Sequence, residues 1–321
     1  MAALRVTGAG ASLQLPFVSS RYNAGIAIGA ARVGFLKPSQ HALSSKQLLP
    51  RRGSAISRAL EQSVKDVDQG KGQQQEQQQS SDYQVREQGE AQSMGYRAFL
   101  VGANGKTLSP WHDVPLKSPL GGGEIFHFVV EIPKESSAKM EVATDEPFTP
   151  IKQDIKKGKL RFYPYNIRWN YGLLPQTWED PNHANPEVEG ALGDNDPVDV
   201  VEIGERRAGL GEILRVKPVA VLAMIDEGEL DWKVIAISVD DPKAALVNDE
   251  SDVEYYFPGT LTEIRDWFRD YKVPDGKPQN RFGLGNKAAG KDYALKVIQE
   301  THQAWVKLVT RSVPAGDLSL T

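Results

Sequence analysis

The sequence of 321 residues contains no cysteine, which removes disulfides, zinc–thiolate sites and thiol nucleophiles together. No uninterrupted apolar run approaches the length that a membrane-spanning helix needs. Histidine is sparse: His41, His112, His127, His183 and His302 are scattered, with no pair at metal-ligand spacing. Acids are missing from the first 60 residues, which carry eight Lys or Arg, and the first carboxylate is Glu61. The remainder therefore holds 30 basic against 42 acidic residues, a net charge of −12. A domain that negative is a poor general binder of nucleic acid, because phosphate contacts need clustered cations.

The acid-free, Ser- and Ala-rich segment 1–60 has the composition of an organelle transit peptide, with an ordinary basic tail as the plainer alternative. Residues 61–94 are polar and centred on Gln73–Gln79. Such a stretch buries too little apolar surface to offset its ordering entropy, so it is expected to be a disordered linker. A catalytic domain is then expected over 95–321, short enough to be one domain. Short Val/Ile-rich runs predict strands over Tyr96–Gly102, Glu124–Ile132, Lys139–Ala143, Lys159–Tyr163, Val198–Ile203, Glu212–Met224 and Trp232–Val239. That pattern belongs to a closed barrel or a sandwich. Three- and four-residue spacing predicts helices over Leu261–Tyr271 and about Lys291–Thr310, their apolar stripes packed against the sheet.

What the chain has in excess is carboxylate in two clusters. Asp194-Asn195-Asp196-Pro197-Val198-Asp199 and Asp226-Glu227-Gly228-Glu229-Leu230-Asp231 sit beside apolar strands, the second followed by Lys233. Clustered like charges titrate abnormally unless cations sit among them, and an all-oxygen donor set suits a hard ion such as Mg²⁺. An EF-hand reading of Asp194 to Glu205 fails, because Val198 takes a ligand position and Asp199 replaces the required glycine. A solvated acidic turn is the plain alternative. Lys139 and Glu141 alternate on one predicted strand, as Asp231 and Lys233 do on another, so each pair shares a face. With Arg161, Tyr171, Tyr271 and Lys272 they make a set of cations and phenols suited to a phosphate-bearing anion. An oligonucleotide-binding barrel is the rival reading; Trp169 and Trp178 near Tyr171 are its support, and the negative charge counts against it.

Six segments in one order, VVEIP, KKGKLRF, YGLLPQTWEDP, GDNDPVDVVEIGE, DEGELDWKVIAI and YKVPDGKP, resemble the family I soluble inorganic pyrophosphatases over roughly residues 96–315. The NYGLLPQTWEDP stretch and the AGDLSL ending resemble plastid members of plants and green algae most closely. The resemblance implies an α+β fold, an OB-like five-stranded β-barrel with C-terminal helices. It implies hydrolysis of pyrophosphate with three to four Mg²⁺, in the chloroplast stroma, with the mitochondrion as second choice. Asp194, Asp199 and Asp231 are similar to ligands of the high-affinity metal. Glu141, Asp226 and Asp231 match ligands of ions that arrive with substrate, with Glu131 nearby. Asp196 matches the group that takes a proton from the attacking water. Lys139, Arg161, Tyr171, Lys233, Tyr271 and Lys272 match the phosphate-binding groups. Two features depart from the family: Ile167 stands where many eukaryotic members have an extra tyrosine, and Lys134-Glu135 replaces the interface Arg-Trp pair of fungal members. A monomer or weak homodimer is therefore expected, with no nucleic-acid or membrane partner.

Overall fold

Residues 83–321 are described in the computed structural model. Its main strands are β1 (Tyr83–Gln88), β2 (Arg97–Gly102), β3 (Phe126–Ile132), β4 (Met140–Val142), β5 (Ile151–Gln153), β6 (Phe162–Ile167), β7 (Asn170–Leu173), β8 (Asp199–Glu202), β9 (Ile213–Asp226) and β10 (Glu229–Ser238). The helices are α1 (Glu250–Tyr256), α2 (Thr260–Asp270) and α3 (Lys291–Val309).

The spine is the hairpin β9–β10, two long Val/Ile/Ala-rich strands joined by Glu227 and Gly228. Both turn residues have positive φ (52° and 105°), the twist that suits a two-residue connection between antiparallel strands. β9 also pairs antiparallel with β3, β3 with β7 and β7 with β8; β8 then runs parallel to β10. Among the described residues these five strands close on themselves as a barrel, the expected OB-like architecture. Gly172 marks the tightest crossing: a Cβ there would lie 2.1 Å from the Val129 carbonyl oxygen, so only glycine lets β7 lie on β3. The interior is fully buried Phe128, Val130, Val200, Val216, Val221 and Val234.

Both predicted helices, α2 and α3, bury an apolar stripe. Ile264 and Phe268 of α2 pack with Ile132, Val201 and Ile235, while Ala294, Val297 and Ile298 of α3 cover the other end of the barrel. Fully burying one such side chain stabilises by about 1.5–3 kcal/mol. Ile167 is completely buried in the α2-facing cluster, so the usual tyrosine's place has become core. Trp169 and Trp178 are buried too, which leaves them unable to serve as a base-stacking platform.

A second sheet, β1–β2–β5–β4, lies outside the barrel. It corrects the expected domain start at 95, since β1 pairs residue for residue with β2 and so lies inside the stretch assigned to the linker. The segment YQVREQ is mostly polar because it is an edge strand, and its backbone bonds rather than its side chains hold it. Arg86 lies over the Phe99 ring at 5.7 Å and donates to Thr107. The expected transit peptide, 1–60, and residues 61–82 of the expected linker lie outside the described residues. α1 was also not anticipated: it is one short run capped by Asp249, with only Val253 buried.

Candidate active site

The barrel register builds the acidic cluster. Asp199 opens β8 directly beside Lys233 on parallel β10, and Asp231 faces Met224 across the β9–β10 hairpin. Asp226, at the end of β9, is four residues before the hairpin returns to Leu230. Asp194 and Asp196 hang on the loop before β8. Asn195 between them has a φ of 75°, a conformation asparagine tolerates. The Asn195 N–H donates to the Glu179 carbonyl and the Glu179 N–H to that of Asp196, both at 2.9 Å; Trp178 Nε1 donates to Asn195 Oδ1 at 3.1 Å. The Asp196 N–H donates to Asp194 Oδ1 at 3.0 Å.

The second wall comes from the outer sheet. Lys139 and Glu141 do share a face, and Lys139 Nζ lies 2.5 Å from Glu141 Oε2 and 2.9 Å from Asp154 Oδ2. Asp154 also pairs with Arg161. Glu131 reaches from the end of β3, its Oε1 accepting from the Val142 N–H at 2.7 Å. Tyr271 and Lys272, at the end of α2, both meet Asp226: the phenol donates at 3.3 Å and Lys272 Nζ at 2.5 Å.

All thirteen candidate side chains line one cavity of about 490 Å³. Among the described residues its wall carries ten carboxylates and six cations, which rejects the solvated-turn reading. Lys233, 1% exposed, sits in the middle: Asp199 Oδ2 is 2.5 Å from Nζ, and Asp231 Oδ1 also pairs with it. Burial opposes its charge, but those two carboxylates hold its pKa well above the ordinary lysine value. Tyr171 donates to the same Asp199 oxygen at 2.5 Å.

The carboxylates outnumber what these cations can neutralise. Asp196 is exposed to the cavity, yet the crowding of protein around it desolvates its carboxylate and, with the neighbouring acids Glu141 and Asp199, pushes it up to about 7. Burial, with Asp199 adding to it against Lys233, pushes Asp231 up to about 7 as well. Asp194 is raised by burial, Asp231 and Asp196, and Glu131 by burial and Asp199. An anionic, oxygen-lined cavity short of positive charge is the chemistry of a hard-cation site.

Sequence reasoning missed four participants. Glu179 is buried, raised by burial and by Asp194 and Asp231, and lies with them so that one oxygen of each falls within 4.8 Å of the others. Its Oε1 accepts from the Trp232 N–H, but Oε2 is buried with no hydrogen-bond partner. An orphaned carboxylate oxygen among acids fits a cation or its hydration shell. Asp154 clamps two of the predicted phosphate-binding cations. Tyr163, two residues past Arg161, lines the cavity; its period-2 spacing was a usable signal. Trp267 stacks on Tyr271 at 5.4 Å, ring planes 5° apart. For Glu179, Asp154 and Trp267, single residues without a flanking cluster, the sequence offers no such signal.

With this geometry in view, residues 128–306 match the family model for inorganic pyrophosphatase. The chain belongs to the inorganic pyrophosphatase family. Over 236 residues it is 73% identical to the Arabidopsis thaliana soluble inorganic pyrophosphatase 6, chloroplastic, covering 74% of this chain and 78% of that one. Over 226 residues it is 63% identical to the Chlamydomonas reinhardtii soluble inorganic pyrophosphatase 1, chloroplastic, covering 70% and 79%. Among solved structures, the Schistosoma japonicum inorganic pyrophosphatase superposes with TM-score 0.71 at 43% identity, covering 74% of this chain and 85% of that chain. A truncated Trypanosoma cruzi vacuolar soluble pyrophosphatase in complex with PPi gives TM-score 0.67 at 41% identity, covering 72% and 92%. Family membership makes this chain a hydrolase of a phosphoric anhydride, an inorganic diphosphatase with a metal-binding acidic cavity. No helix among the described residues is long and apolar enough to cross a membrane.

Proposed function

We propose that this chain hydrolyses pyrophosphate to two phosphates with three to four Mg²⁺ per site, in a plastid, removing pyrophosphate released by biosynthesis. The observation that carries the reading is the ring of carboxylates around paired cations in one cavity. Asp194, Asp199 and Asp231 would hold the tightest ion, with the orphaned Glu179 oxygen beside them. Glu141, Asp226 and Asp231 would hold ions that enter with substrate, and Glu131 adds charge at their edge. When bound, the ions supply charge neutralisation and lower the pKa of a water in line with phosphorus.

The chain's own residues supply the rest. Lys139, Lys233 and Lys272 are each tied to a carboxylate proposed as a metal ligand. Each lysine is thereby held in place and freed toward phosphate oxygens once its acid is engaged elsewhere. Asp196 takes the proton of the attacking water. Arg161, Tyr271 and Lys272 stabilise the leaving phosphate, and Lys139, Tyr171 and Lys233 hold the other one. A direct attack by water suits a chain with no cysteine and no serine in a nucleophile elbow.

The organelle reading rests on the basic, acid-free N-terminal segment and on the two chloroplastic relatives. The monomer or weak-homodimer reading is supported by Lys134, whose Nζ donates to the Gly204 carbonyl of its own chain at 2.9 Å. The test is phosphate release from pyrophosphate by the full chain, with millimolar Mg²⁺ and then with chelator. Fast release abolished by chelator is expected. No release from a folded sample would leave a cation site without this chemistry.

A further inference from the structure

We propose that the segment following α3, Thr310–Thr321, is a positioning strap that holds the two walls of the cavity in register; the proposal rests on the catalytic reading above. The acids of β8–β10 are fixed by the closed barrel. Lys139, Glu141 and Asp154 instead sit on or beside the β4–β5 hairpin of the outer sheet, which joins β2 through the single register pair Ala98–Ile151 and meets the barrel through Glu131 on the Val142 N–H and through Val142 and Ile151 packed with Val129 and Leu173. Those contacts hold the two strands, whereas the loop that joins them, 143–150, needs an anchor of its own if Glu141 is to keep its place opposite Asp196.

The strap touches both walls. At the barrel end, Val313, Ala315, Leu318 and Leu320 pack around Trp111, Trp178 and Leu308. Trp178 is the residue whose indole N–H fixes Asn195, between Asp194 and Asp196. At the far end, the Ser319 N–H donates to the Thr144 carbonyl at 2.8 Å, and the Phe148 N–H donates to the Thr321 carbonyl at 2.6 Å. Both acceptors and donors on that side belong to the loop joining β4 to β5, and Thr144 and Asp145 of this loop line the cavity.

Two further observations mark the contact as built. Phe148 and Thr149 have φ of 63° and 37°, a left-handed stretch that bulky and β-branched residues adopt only when surroundings impose it. The strap bonds to the first of them. The Ser319 carbonyl is itself held, by His112 Nε2 at 2.9 Å, while Trp305 Nε1 donates to His112 Nδ1 at 2.9 Å. With Nδ1 accepting, Nε2 carries the proton and donates to Ser319, so the ring is neutral and its orientation fixed from α3. A chain of contacts thus runs from α3 through His112 and Ser319 to the loop behind Glu141.

The test compares Ser319→Pro, which removes the N–H, with Ser319→Ala, which keeps it, in the full chain. Removal of Ser319–Thr321, which takes Leu320 from the packing but leaves Val313, Ala315 and Leu318 in place, serves if the proline variant does not fold. Amide hydrogen exchange and steady-state kinetics are read on the same samples. In Ser319→Pro, exchange at Phe148 should accelerate by about tenfold or more. KM for pyrophosphate should rise about 3- to 30-fold, with a smaller change in kcat, as expected when a binding wall is misplaced. Ser319→Ala should match the parent in both. Faster exchange with unchanged KM would overturn the positioning role, and unchanged exchange would overturn the strap itself. A parent that releases no phosphate would sink the catalytic reading instead, and exchange would still decide whether the strap holds the loop.

Discussion

Asp199 and Lys233 are direct register partners on the parallel strands β8 and β10, and the Asp199 carboxylate meets the Lys233 ammonium 2.5 Å away. Tyr171, from the strand on the other side of β8, donates to the same carboxylate oxygen. Backbone pairing thus fixes the centre of the site, leaving little freedom to side-chain rotation. Among the described residues, Lys233 is the buried cation that pairs with both Asp199 and Asp231.

Replacing that cation exposes how much it offsets. Lys233→Met should lower folding stability by about 3–5 kcal/mol in chelator, the usual cost of stranding a buried charge. Added Mg²⁺ should recover part of the loss, because cations would then neutralise Asp199 and Asp231. Denaturant unfolding with and without Mg²⁺ measures both quantities. An equal loss in the two conditions would argue against metal at these acids.

Asp196→Asn should leave Mg²⁺ affinity largely intact and lower kcat by about 10²–10⁴, the typical worth of a general base. Titration calorimetry and phosphate release on one preparation separate the two effects. A near-normal rate would remove Asp196 from its assigned role.

The start of the folded region is open to a direct comparison. A chain beginning at Tyr83 should fold and act as the full chain does, whereas one beginning at residue 91 loses β1. The shorter chain should be less stable by about 1–3 kcal/mol, seen as a thermal midpoint lower by about 2–10 °C. Equal midpoints would show that β1, its backbone pairing included, contributes nothing to stability.

His112 gives a pH dependence with a definite sign. Burial lowers its pKa below the ordinary 6.5, against the opposing bond to Ser319 and the charge of Asp113. The folded chain therefore binds this proton less readily than the unfolded chain. The stability it contributes is complete above pH 6.5 and is lost progressively as pH falls toward the lower folded value. His112→Gln keeps a donor and an acceptor but cannot titrate, so parent and variant should diverge only below about pH 6.5. Denaturant unfolding at a series of pH values checks this, and parallel curves would refute it.

Much of the site was legible because its acids come in two contiguous runs, each at the end of a strand whose apolar side chains announce it. The alternation of Lys139 with Glu141 and of Asp231 with Lys233 was likewise visible as a two-residue period. Glu179 was not, since its position depends on a loop of Trp178–Asp180 folding back under Asn195, a contact between residues 17 apart in the chain. Asp154 acts by bridging Lys139 and Arg161 from a neighbouring strand, which no local pattern encodes. β1 was hidden for a different reason: an edge strand held by main-chain bonds needs few apolar side chains, so its composition matched the polar stretch before it. α1 buries too little to show a helical stripe.

The barrel closes through pairings between segments far apart in the chain, Phe126–Ile132 with Ile213–Val216 above all. Contacts of that range form late and slowly, because the intervening loop must lose its entropy first. The carboxylate ring therefore comes into being only with closure: Asp226 and Asp231 share one hairpin, but Asp199 reaches them only when β8 docks on β10. A cation held between Asp199 and Asp231 has no complete site in the partly folded chain. It should slow the unfolding rate and leave refolding nearly unchanged, making free magnesium a regulator of how long the native molecule lasts rather than of how fast it forms.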